Sequence, residues 1–435
     1  MKRCISAAFA AGASAVAAAV ALCAPTAPLS IPPGAAGPQH PDTPTGPAPP
    51  GGRHGPCALR GVSDDVGETT ATPEGYVRAR GTVNALTLFI DFPDARAAIS
   101  PRARYAEFFP AASDYFHRSS YGHLRYRPTP LLRWLHMTKP LAEYGIERGA
   151  TFDAGSDSGY HALAREIVRA VDSSVDFRDY DLVNVIAAPN AGPPATRTVL
   201  SVTFSGGDMG LRTDDGVPFR NASFLWSRQP GPSAFRVVNH ENAHSFGLPD
   251  LYFTDGREAP SAVGHWDPMD EDWGPSNDFL GWHKWKLGWL AADQIDCVPP
   301  GSPVADHTLT PLATPGGTKI AVIPTSAHTA LVAEARTRGP LDPALCRPGV
   351  LVYRVSAEVR SGGGPLQVMD ATPGSGGCHT GDRYVDAELS DAAYRPGTTF
   401  TDRDSGTALT VLETAPDGTF RIRVRPPSLP SPPEG

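Results

Sequence analysis

The chain has 435 residues, and 38 Lys and Arg against 46 Asp and Glu give it a formal net charge of −8. That length allows about two or three domains and a sizeable core, and an acidic balance with no basic block argues against nucleic acid as a partner. Pro (46) and Gly (44) are both abundant, which points to many turns and little long helix.

At the start of the chain, Lys2 and Arg3 precede an alanine-rich apolar run from Ala7 to Ala24. Residues 1–29 therefore read as a secretory signal, and the protein as one exported from the cell. No later apolar run reaches the roughly 18–20 residues that span a bilayer, so no membrane contact is expected once the signal is removed. Cys4 and Cys23 fall within that signal. Cys57, Cys297, Cys346 and Cys378 remain, an even set that suggests two disulfides in an exported chain. Of the three connectivities, Cys346–Cys378 with Cys57–Cys297 is favoured because the first pair lies in one segment. Residues 30–75 begin rich in Pro, Gly and Ala, which bury too little apolar surface to order themselves, and read as a linker or a short pro-segment.

A folded domain is expected over 76–292. Its first element, Thr82 to Phe92, alternates and then turns wholly apolar, as a central strand does. Asp91 and Asp94 close it; they read as turn acids, with a calcium pair as the alternative. Tyr105 to Phe116 suggests a helix, and an extended piece runs on through Trp134. Residues 160–172 carry apolar positions at helical spacing, and Tyr180 to Ile186 reads as a second buried strand. Strand, helix, strand makes an α/β layer. Ser223-Phe224-Leu225-Trp226 is read as an edge strand able to align an extended peptide by strand addition.

The chemistry is concentrated in Val237 to Tyr252. His240 and His244 are four residues apart, hence on one face of a helix beginning near Ser233. Two imidazoles so placed can share one zinc ion, and Glu241 projects beside them within reach of water on that ion. Gly247 can adopt the left-handed conformation that stops a helix, letting the chain turn back and present Asp250 as a third ligand. The frame is H-E-x-x-H-x-x-G-x-x-D, the metzincin pattern with aspartate in place of the commoner histidine. Glu258, His265 and Glu271 compete with Asp250 for the third position. Met269 follows Pro268 in an acidic, aromatic turn and reads as a methionine turn flooring the metal. Tyr252 and His265 are the candidate oxyanion donors. Asp278 to Leu290 then reads as an aromatic helix closing the domain.

From 293 to 425, short alternating runs separated by turns (319–323, 330–336, 349–355, 408–412, 419–424) indicate a small antiparallel β domain. Residues 426–435 read as a disordered tail. The expected class is α+β, a zinc-site domain followed by this β domain.

The run His240 to Tyr252, the later methionine turn and Trp282-His283-Lys284-Trp285-Lys286-Leu287-Gly288-Trp289-Leu290 resemble secreted bacterial metalloproteases of the immune inhibitor A type. Phe89 to Asp94, Ser119 to Gly122, Glu334 to Arg336 and Gly349 to Val355 carry the resemblance over roughly residues 80–425. It implies a metzincin-like fold and a zinc endopeptidase acting on proteins or peptides, often with calcium as a structural ion; the chain itself is expected to be a monomer. His240, His244 and Asp250 would hold zinc and Glu241 would be the acid/base. Asn242-Ala243 depart from the apolar residue and glycine usual there, and Phe253 stands where an aspartate is common. A catalytically silent metal-binding protein and a zinc hydrolase of other amides or esters are the alternative functions.

Overall fold

Strand β1, Gly81–Asp91, has side chains directed to both faces of a sheet, and both sets are apolar. Val83, Ala85 and Phe89 join one core, while Leu86, Leu88 and Ile90 join another, as befits a strand covered on both sides. In this computed structural model the described residues are 55, 57–61, 67–69, 71–147, 150–192, 200–226, 234–254, 261–270, 278–343, 345–378 and 387–428. The expected signal, most of the linker, Ser233, Glu258, Glu271 and residues 429–435 of the tail lie outside them.

The class is mixed α+β, with several sheets and few helices. In the first sheet β1 lies between β2 (Leu124–His136) and β3 (Leu182–Ala187); β5 (Ala222–Leu225) follows β3, and β4 (Val202–Phe204) is outermost. All neighbours are parallel except β4, which runs antiparallel to β5. Helix α3 (Gly159–Val171) places Leu163 and Ile167 in the core on one face. On the other face lie α2 (Ala111–Ser119) and α4 (Arg236–Ser245). The single helix expected over Tyr105–Phe116 is two: α1 (Pro101–Ala106) stops, and α2 begins after Pro110, because proline inside a helix removes an amide donor and crowds the preceding turn.

One expectation is corrected here. Ser223 to Trp226 is not an edge: β5 is flanked by β3 and β4 and wholly buried. Among the described residues the edge on that side is β4, and the opposite edge is β2.

Beyond α5 (Gly281–Lys286) the chain builds two more sheets. The first, in order, is β11 (Leu366–Val368), β10 (Gly349–Ser356), β9 (Thr329–Arg336), β8 (Ile320–Pro324) and β6 (Ile295–Cys297). The second is β12 (Thr399–Thr401), β13 (Ala408–Thr414), β14 (Phe420–Arg425) and β7 (Ala305–Leu309). Every pairing is antiparallel except β6 with β8. Ala321, Ile323, Leu331 and Val352 face Leu409, Val411, Ile422 and Val424 of the second sheet. Ile320, Val322, Val332 and Tyr353 join instead the core that holds Trp282, Trp289 and α4. The expected division near residue 292 is thus crossed by continuous apolar packing, and Gly51–Gly435 is one compact unit.

The described residues just before Tyr76 are also built in. Cys57 is bonded to Cys297, with Cα atoms 5.8 Å apart, and Cys346 meets Cys378 with Cα atoms 6.0 Å apart. Glu68 is fully buried. Among the described residues no helix is long and apolar enough to cross a membrane.

Candidate metal centre

Helix α4 carries His240 and His244 one turn apart, their ring centroids separated by 4.9 Å at an interplanar angle of 89°. The helix ends in two reciprocal backbone bonds: Gly247 N–H donates to the His244 carbonyl at 2.9 Å and Leu248 N–H to that of Ala243 at 3.1 Å. With Gly247 at φ 87°, this is the Schellman stop, which glycine adopts without steric cost. The reversal carries Asp250 back under the helix. Its Oδ1 lies 3.2 Å from His240 Nε2 and 3.3 Å from His244 Nε2.

The other ring nitrogens decide what this grouping is. His240 Nδ1 is 2.7 Å from the Pro268 carbonyl, and His244 Nδ1 is 2.8 Å from that of Leu248. A carbonyl only accepts, so each Nδ1 carries the hydrogen, and each ring, when neutral, turns a lone pair at Nε2 toward Asp250. Asp250 Oδ1 is buried with no hydrogen-bond partner. Three acceptor atoms converging on one point is a cation's coordination geometry, and among the described residues only this group could hold a metal ion. Protons compete for the same place. Burial works against the charged Asp250 carboxylate, yet His244 and His240 hold its pKa well below the usual range. Burial likewise lowers the His244 pKa, and Asp250 outweighs it and holds the ring above its ordinary value.

Asp250 is positioned by a segment distant in sequence. Its N–H donates to Ser361 Oγ at 2.9 Å, Ser361 Oγ faces its Oδ2 at 3.4 Å, and its carbonyl accepts from Gly362 N–H at 3.0 Å. The loop after β10 therefore reaches the carboxylate of the candidate metal group. Beneath it, Leu251 N–H donates to the Met269 carbonyl at 2.9 Å. Pro268 and Met269 thus fix His240 and the Asp250 loop through consecutive carbonyls, with the Met269 side chain fully buried. That turn rests on Asp267, which accepts from Met269 N–H at 2.9 Å and from Leu280 N–H at 2.8 Å. His283 bridges Asp267 (2.8 Å) and Glu68 (3.0 Å). Burial opposes the protonated ring, but the two carboxylates push its pKa up to about 9. Glu68 is brought down to about 2, Lys286 and His283 overcoming its burial.

Glu241 is 4 % exposed, and burial raises its pKa against the lowering influence of His240, His244 and Thr203. Its Oε2 accepts from Thr203 Oγ1 at 2.8 Å. Thr203 also meets Ser223 Oγ at 2.8 Å, and Ser223 accepts from Asn242 Nδ2 at 3.0 Å. Asn242 in turn reaches Asn184 Oδ1 at 2.8 Å and Tyr126. The unusual Asn242 is thus fully satisfied. Without those partners a buried amide would cost about 1–3 kcal/mol.

The triad and Glu241 line an open cleft of about 640 Å³, walled by Tyr76, the β4 residues and Arg360. Tyr252 lines it too, its ring 6.3 Å from that of His240. His265 does not: it is 1 % exposed and stacked on Trp266 at 5.6 Å. Asp91, weighed with Asp94 as a calcium pair, is held by Arg96 and by His136 at 2.7 Å, and Asp94 accepts from Leu141 N–H at 3.0 Å. Glu258 and Glu271 lie outside the described residues. Sequence reasoning missed Thr203, Ser361 and Glu68, whose partners are far along the chain.

Comparison with protein-family models and with curated proteins returns no match for this chain.

Proposed function

We propose that this chain is a secreted zinc endopeptidase with a metzincin-like domain, as the immune inhibitor A resemblance implies. The observation that supports it most is the convergence of two imidazole lone pairs and one carboxylate on α4 and its following loop, with buried Glu241 beside them. Two nitrogens and one oxygen suit zinc, and three protein ligands leave a position open. When bound there, zinc supplies a Lewis acid and brings the pKa of a water toward ~7.

The rest is done by the chain's own residues. Thr203 occupies Glu241 Oε2, so Oε1 is the oxygen that takes the proton of the attacking water and later gives it to the departing amine. Tyr252 is the cleft residue suited to donate to the developing oxyanion. Among the described residues, strand β4 has a partner only on its β5 side, and its free edge along the cleft can pair with an extended polypeptide. The main-chain recognition this provides favours peptide substrates over small esters.

The test is metal content and casein hydrolysis by the purified chain, with Glu241→Gln and His244→Ala alongside. Glu241→Gln keeps stoichiometric zinc and loses about 10²–10⁴-fold in kcat, while His244→Ala loses the metal. Undiminished turnover by Glu241→Gln overturns the assignment.

A further inference from the structure

A second groove, of about 600 Å³, opens on the far side of Tyr76, the residue it shares with the cleft. Arg78, Arg80, Arg178 and Arg220 line it, against a single acid, Asp181. The chain as a whole carries −8, so this is a local reversal of sign. Part of the charge is already engaged. Arg178 pairs with Asp176 and Asp215, Arg80 donates to the Gly288 carbonyl, and Asp181 accepts from Asn84 N–H at 2.8 Å. Arg78 and Arg220 are exposed, and their side chains make no hydrogen bond or ion pair among the described residues.

The sheet register shows how the groove relates to the cleft. Phe204 of β4 is opposite Ala222 of β5, and Arg220 and Asn221 come just before Ala222, so the groove lies past the Phe204 end of the free edge. Gly206 continues that edge and packs on Tyr76; a Cβ there would sit 2.3 Å from the ring. A polypeptide following β4 past Phe204 is led to Tyr76 and then to the arginines. Antiparallel pairing is the more stable mode, and a strand running opposite to β4 puts its N-terminal part at the Phe204 end. Thr203 contacts Glu241, which fixes the reacting bond near it. At roughly 3.3 Å per residue, the groove is reached roughly three to five residues upstream of that bond.

We propose that this groove binds aspartate or glutamate side chains of the polypeptide substrate, N-terminal to the bond that is cut. The proposal rests on the hydrolase reading above and names its substrate class. Guanidinium groups left unpaired in a polar groove match carboxylates in charge and in paired donor geometry.

The test uses a labelled peptide with glutamates at those upstream positions and its twin with glutamines. Binding to the Glu241→Gln chain is followed by fluorescence anisotropy. At low salt the glutamate peptide should bind about tenfold more tightly. That preference should disappear in Glu241→Gln carrying also Arg78→Ala and Arg220→Ala, and should fade at high salt. Equal binding of the twins, or a preference that survives loss of both arginines, overturns it. Cleavage of both twins by the unaltered chain at equal kcat/KM defeats the groove and leaves the hydrolase standing. An arginine-dependent binding preference with no cleavage of either twin sustains the carboxylate site and defeats the hydrolase.

Discussion

His283 and His240 are buried and His244 is half-buried, each next to carboxylates, but their rings are wired differently. Both nitrogens of His283 face acids, Glu68 on one side and Asp267 on the other, so the ring is a doubly donating cation with no lone pair to offer. In the pair near the cleft, each Nδ1 is spent on a backbone carbonyl, and the remaining nitrogens point as acceptors at a third acceptor. The first arrangement is complete without an ion, and the second is complete only with one or with an extra proton. What distinguishes the structural histidine from the candidate metal ligands here is the partner of the far ring nitrogen, more than burial or nearby charge.

Substitutions can break that contrast at either end. The largest effect on stability belongs to His283→Gln, which leaves Glu68 and Asp267 as two buried, like charges. Denaturant unfolding should show a loss of about 3–5 kcal/mol, while metal uptake per folded molecule stays unchanged. A smaller cost with normal packing would mean that the acids find other partners and the two groupings differ less than their geometry indicates.

The pH dependence of folding sharpens the same point. The His283 pKa is raised from 6.5 to about 9, so its contribution is fully present below pH 6.5 and is lost as pH rises through about 9. Glu68 is lowered from 4.5 to about 2, so its contribution is present above pH 4.5 and is lost as pH falls toward 2. The unaltered chain should therefore lose Tm between pH 6.5 and 9.5 more steeply than His283→Gln does. Parallel slopes would remove the charged-ring assignment.

The smallest expected change tests the cleft. Ser361→Ala removes a partner that orients Asp250 without touching the metal position, and outer partners of this kind contribute about tenfold in metal affinity. Competition with a chelator should show that weakening, with Tm nearly unchanged in the metal-free protein. Unaltered affinity would mean that the Gly362 amide holds Asp250 unaided.

The parts of the site that were legible in the sequence are those set by local geometry. His240, Glu241 and His244 follow from helical spacing, Asp250 from the helix stop at Gly247, and Met269 from the proline turn before it. Thr203, Ser361 and Glu68 meet their partners 38, 111 and 215 residues away, and no local pattern reports such pairings. The edge-strand error has a physical cause too. Phe224 to Trp226 is apolar because it is buried, whereas the edge β4 is three residues long and leaves little periodicity to read. The single apolar core shared by α4, α5 and β8–β10 was hidden for the same reason: each run announces its own burial but not what buries it.

The bond between Cys57 and Cys297 spans 240 positions of sequence and encircles the whole cleft-bearing sheet, α4 and the turn beneath it. A single backbone cut anywhere within that covalent ring opens it without shedding a fragment, so the His240 and Met269 sides of a nicked molecule stay tethered and can close again on one another.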